Sequence, residues 1–150
     1  MSNDAVLSKI NDEGIEYVDI RFTDPRGKLQ HVTVSAGLVD EDFLEEGFMF
    51  DGSSIAGWKS IEASDMKLMP DTESAYIDPF YAEKTLCLHC SVVEPDTGEA
   101  YERDPRGTAQ KAEAYLKASG IGDVAYMGPE AEFFLFDDVR FSNSINKVSY

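Results

Sequence analysis

From Tyr17 to Ser35 the chain alternates, turns and alternates again, and no other stretch restricts the fold as much. Val18, Ile20 and Phe22 fall on one side of an extended segment, with Asp19 and Arg21 on the other, and a period of two marks a half-buried strand. Asp24-Pro25-Arg26-Gly27 supplies turn chemistry, so Leu29 to Ser35 is expected to return as a second strand. Such a hairpin needs cover on its apolar face. Upstream, Ser2, Asn3 or Asp4 can cap a helix whose Val6, Leu7 and Ile10 share a side, with Gly14 as its stop. Downstream, Asp40 to Glu46 predicts a short helix around Phe43 and Leu44, ended by Gly47. Met49 to about Ala75 is expected to be irregular, with strand signals resuming at Tyr76-Ile77 and Thr85 to Val93. A hairpin, a later long strand and short helices covering one face predict a small mixed sheet of α+β type, not an alternating βαβ fold.

A second unit is expected to begin near Glu102 to Arg106, giving one domain over 1–103 and the start of another over 104–150. Asp104 suits an N-cap, Pro105 the first helical position, and Gly120 the end, with Ala109, Ala112, Tyr115 and Leu116 forming an apolar stripe. Met127 to Asp137 reads as a strand apolar on both faces apart from two glutamates, which calls for cover on both sides. Asp138 to Tyr150 is polar and has no strong helix signal, so this second unit looks unfinished.

Charge and cysteine usage narrow the function. With 13 Lys and Arg against 29 Asp and Glu, the net charge is −16 and no basic patch interrupts it, which argues against a nucleic-acid partner. The longest apolar runs, Val124 to Met127 and Phe133 to Phe136, fall far short of the ~20 residues of a membrane helix. Met1-Ser2-Asn3-Asp4 has neither the basic start nor the apolar stretch of an export signal, so a cytoplasmic location is expected. Cys87 and Cys90 lie three apart on a predicted strand and should face opposite ways, unjoined; a zinc site would need a second ligand pair that is absent. His31 and His89 fall in predicted strands without a nucleophile motif, and neither familiar glycine-rich phosphate cradle is present. Any nucleotide would therefore need metal-mediated phosphate contacts.

Two segments carry chemistry. In Gly128-Pro129-Glu130-Ala131-Glu132-Phe133-Phe134-Leu135-Phe136, a strand would point Glu130 and Glu132 the same way, about 6 to 7 Å apart. Like charges so close on an apolar wall call for neutralisation, and hard divalent cations prefer such oxygens; a solvated strand face is the plain alternative. In Phe50-Asp51-Gly52-Ser53-Ser54-Ile55-Ala56-Gly57-Trp58, a carboxylate and two hydroxyls sit in a glycine-bearing loop that could hold a small cation. The same composition also makes ordinary turns, with Trp58 simply in the core.

These segments, together with Ser64-Asp65-Met66, the Arg21-Phe22-Thr23-Asp24 to Gly27-Lys28 hairpin, Pro70-Asp71 and Asp104-Pro105-Arg106, resemble bacterial type I glutamine synthetase along the whole chain. The resemblance implies a β-grasp N-terminal domain followed by the start of the α+β catalytic domain. It implies ATP-dependent ligation of ammonia to L-glutamate through γ-glutamyl phosphate, assisted by two or more Mg²⁺ or Mn²⁺ ions. By motif position, Glu130 matches a ligand of the metal on the nucleotide phosphates and Glu132 one of the metal near glutamate. Asp51 matches the aspartate that binds ammonium and takes up its proton, and Ser54 the serine beside it; Asp65 and Trp58 match residues shaping the same loop. The resemblance further implies a homododecamer of two stacked hexamers, with the Asp51 loop of one subunit serving the metal-binding strand of its neighbour. The later metal ligands and the substrate-binding arginines of the family fall beyond Tyr150, so this stretch alone is expected to lack synthetase activity. The rival reading is a free-standing β-grasp interaction module, and a weaker one a passive divalent-metal protein.

Overall fold

The computed structural model describes residues 1–149; Tyr150, the last residue of the expected second unit, lies outside them. Helix α1 (Asn3–Asp12) starts at Ser2, whose hydroxyl accepts the Ala5 N–H, and Gly14 follows its end at φ 61°. Strands β1 (Tyr17–Thr23) and β2 (Leu29–Ser35) form the expected hairpin, paired from Tyr17 opposite Ser35 to Thr23 opposite Leu29. Asp24 closes its turn by accepting the N–H groups of Arg26 and Lys28, each at 2.9 Å. Helix α2 (Glu41–Glu46) is capped by the Asp40 carboxylate, which accepts the Phe43 N–H.

The region from Met49 to Ala75, expected to be irregular, instead supplies β3 (Phe48–Asp51) and the 13-residue β4 (Asp65–Ile77). The period-two signal is there in Met66 and Leu68, both fully buried, but Lys67, Pro70, Asp71 and Glu73 mask it. Pro70 is tolerated because β3 pairs with β4 only from Asp65 to Leu68, so at Pro70 only the β5 side carries a ladder. Past Asp71 the register shifts, and the Ser74 hydroxyl accepts the His89 N–H at 2.8 Å in place of a ladder bond.

With β5 (Thr85–Val93), the sheet runs β2-β1-β5-β4-β3; β1 and β5 are parallel and the other pairs antiparallel. The α+β expectation holds. On one face Val18, Ile20, Phe22, Leu68, Leu86, Leu88 and Val92 meet Val6 and Ile10 of α1 and Leu44 of α2 in a single apolar cluster. Cys87 and Cys90 are free and buried, as the strand reading requires, and burial pushes the Cys90 thiol up to about 12.

The opposite face was read as the solvent side of β1, and there the structure differs. Asp19 is fully buried and accepts Arg21 Nε, His31 Nδ1 and the Thr33 hydroxyl, all at 2.7 Å. Arg21 also donates to the Tyr76 hydroxyl at 2.5 Å and to Asp78 at 2.8 Å. Burial works against the Asp19 charge, but the bonds from Thr33, Arg21 and His31 outweigh it and hold the carboxyl below its ordinary value.

Helix α3 (Pro105–Ser119) begins and ends where predicted: Asp104 caps it, Pro105 opens it, and Gly120 closes it in the left-handed region at φ 69°. Asp104 also accepts the Val92 N–H at 3.0 Å, and Arg106 pairs with Asp71, which ties the helix to β5 and β4. The strand expected over Met127 to Asp137 is not formed. No described strand pairs with that segment, and an extended segment gains its stability from a ladder and a covering layer. Phe133, Phe134, Leu135 and Phe136 are 70 to 89% exposed, and Tyr115 on α3 is exposed too. Within the polar tail, β6 (Ser142–Ser144) and β7 (Lys147–Ser149) make a small separate hairpin.

Candidate active site

Asp51 is the last residue of β3, placed by pairing with β4 directly opposite Asp65. The chain then tightens into a 3₁₀ turn at Gly52–Ser54. Gly52 is required by close packing: a Cβ there would stand 2.6 Å from the Cγ and Sδ of the buried Met66 and 3.0 Å from the Ser64 carbonyl oxygen. Its N–H donates to that same carbonyl at 2.7 Å, stitching the turn to the start of β4. One Asp51 oxygen, Oδ1, accepts both the Ser53 N–H at 2.8 Å and the Ser53 hydroxyl at 2.6 Å. Hydrogen bonding from the Ser53 hydroxyl, then from its N–H, holds the exposed Asp51 carboxyl below its ordinary value, so it is an anion at neutral pH. Ser54 is exposed beside it.

A buried aromatic group anchors the loop behind Ser54. Trp58 packs against Phe22, Phe50 and Tyr101 at centroid separations of 5.5, 6.1 and 5.5 Å. The Tyr101 hydroxyl donates to the Trp58 carbonyl at 2.9 Å, and Arg103 donates to the Gly57 carbonyl at 2.7 Å. Trp58 is thus a core residue whose burial fixes where the Asp51 turn sits. Asp65 lies directly across the ladder from Asp51, at the end of the β3–β4 pairing.

The structure brings Asp51, Ser53, Ser54 and Asp65 together and leaves Glu130 and Glu132 elsewhere. Both glutamates are exposed on the segment without strand structure, so the apolar wall expected around them is not formed. Among the described residues, no group of three or more His, Cys, Asp or Glu side chains is gathered closely enough to hold a metal. Their hard oxygen donors suit Mg²⁺ or Mn²⁺, but two carboxylates supply only part of such an ion's ligand set. His31 and His89 lie in strands as expected, His31 serving the buried Asp19. Ser53 is one of the two hydroxyls read in this loop, and its bonds to Asp51 are those of the ordinary turn that Asp-Gly-Ser-Ser also signals. The Asp19 network was missed because its members come from β1, β2 and the end of β4, which only the pairing register brings together.

Sequence-family models match almost the whole chain. One described as glutamine synthetase, beta-Grasp domain, covers residues 14–95, and one described as glutamine synthetase, catalytic domain, covers residues 102–150. A glutamine synthetase of Cereibacter sphaeroides is 80% identical over 144 residues, which is 96% of this chain and 31% of that protein. One of Escherichia coli is 55% identical over 146 residues, 97% of this chain and 31% of that protein. A solved structure of Plasmodium falciparum glutamine synthetase superimposes with TM-score 0.72 at 24% identity, covering 80% of this chain and 23% of that one, and so supports the fold. The chain spans about a third of the length of the curated relatives it matches.

Proposed function

Because the chain belongs to the glutamine synthetase family, we propose that the full-length protein joins ammonia to L-glutamate using ATP, through γ-glutamyl phosphate, in the cytoplasm and as a homododecamer. The single observation that supports this most is the Asp51 turn, an ionised carboxylate locked by its neighbours at an exposed sheet edge. Ammonium is a cation and not a nucleophile, so a residue there must first attract it and then accept a proton as the carbon–nitrogen bond forms. Asp51 has the charge for the first task and a carboxylate for the second, with the exposed Ser54 hydroxyl as a neighbouring acceptor. Glu130 and Glu132 would hold divalent cations, which screen phosphate charge during phosphoryl transfer. The match of residues 102–150 to a catalytic-domain model favours an enzyme over a free-standing interaction module. No helix among the described residues is long and apolar enough to cross a membrane.

The test is Asp51→Asn in the full-length protein. Turnover should fall by about a hundredfold or more, the usual contribution of a positioned acid–base group, while the KM for ATP stays within about twofold. An equal loss in both would overturn the role given to Asp51.

A further inference from the structure

We propose that Ser53 is a positioning residue for ammonium use: it clamps one oxygen of the Asp51 carboxylate and so presents the other to the incoming cation. This rests on the ammonium role given to Asp51 above. Both bonds from Ser53, through its N–H and its hydroxyl, fall on Oδ1, and neither reaches Oδ2. The clamp is itself held, because the Gly52 N–H is tied to the Ser64 carbonyl and the Ile55 N–H to the Gly52 carbonyl. A free aspartate at a strand end would rotate about its side-chain torsions; this one is held through Oδ1 by Ser53, with the Ser64 hydroxyl a further, weaker donor to the carboxylate.

The clamp has a chemical consequence that pulls two ways. Donors on a carboxylate stabilise its charged form, which weakens it as a base, while the charge it carries at neutral pH still attracts NH₄⁺ through the oxygen that Ser53 leaves open. The proton balance is simple. Ammonium gives one proton to the carboxylate, leaving ammonia and a neutral carboxyl group; ammonia then bonds to the acyl carbon, and its second proton leaves with the departing phosphate, giving the amide. Ser53 therefore favours capture over proton removal. The depressed Asp51 titration agrees with this direction, since the Ser53 hydroxyl is its largest cause.

Ser53→Ala in the full-length enzyme removes the hydroxyl and keeps the N–H. The KM for ammonium should rise about five- to tenfold, a hydrogen bond to an exposed charged group falling at the lower end of its usual worth. The KM values for ATP and glutamate should stay unchanged, kcat should change less than the ammonium KM, and the acid limb of kcat/KM should move to higher pH. Ser53→Thr, which retains the hydroxyl, should restore all of these. An unchanged ammonium KM with an unshifted acid limb, or a parallel rise in all three KM values, overturns the proposal. Should Ser53→Ala lose all activity, Ser53→Thr decides: a wild-type ammonium KM supports the clamp and a raised one overturns it. If Asp51→Asn abolishes turnover while Ser53→Ala behaves as wild type, only the clamp fails. If Asp51→Asn retains turnover, the reading of Asp51 fails first.

Discussion

Replacing Arg21 by methionine should loosen the first three sheet strands far more than a surface substitution does. The guanidinium is 12% exposed and bonds the fully buried Asp19 at 2.7 Å, the Tyr76 hydroxyl at 2.5 Å and Asp78 at 2.8 Å. Removing one partner of a buried ion pair costs about 3 to 5 kcal/mol, because the other charge is left without compensation. Asp19 retains His31 and Thr33, which places the expected loss at the low end, about 3 kcal/mol, or roughly two powers of ten in an equilibrium constant. Amide hydrogen exchange of the full-length protein reads this locally, as a fall of about that size in the protection of β1, β2 and β5. Arg21→Lys should fall between, since an ammonium keeps the charge but cannot span three acceptors as a planar fork does. The pH dependence follows in sign. A carboxyl held below its ordinary value stabilises the fold fully above that value, and the contribution is lost as pH falls from there through the lower folded pKa. Without Arg21 the Asp19 pKa rises toward its ordinary value, so the part of the protection that acidification removes should shrink. Protection in Arg21→Met within about 0.5 kcal/mol of wild type would show that the network does not hold the sheet together.

Gly52→Ala places a methyl group 2.6 Å from the buried Met66 side chain, so the Asp51 turn must shift; steady-state kinetics should show ammonium use impaired more than ATP binding. Glu130→Gln and Glu132→Gln should each raise the Mn²⁺ concentration needed for half-maximal activity, and a titration indifferent to both would remove them from the metal site. Leu68→Ala empties a fully buried position on β4 between β3 and β5, with an expected cost of about 2 to 5 kcal/mol in local exchange stability.

What the linear chain determined was what depends on near neighbours. The Tyr17–Ser35 hairpin, the Asp40 and Asp104 caps and the Gly120 stop were legible because each needs only a few adjacent residues to satisfy its own backbone groups. The acidic turn at Asp51 was legible for the same reason. Tertiary structure alone decided β4, where Met66 and Leu68 outweigh a proline and two acidic residues only because β5 lies alongside to receive them. It also turned Asp19 and Arg21 from an apparent solvent face into a buried network, since their partners lie up to 57 residues away. Met127 to Asp137 shows the converse. Its apolar sequence is strand-like, yet a strand is a relation between chains of hydrogen bonds, and without a paired neighbour the pattern has nothing to act on.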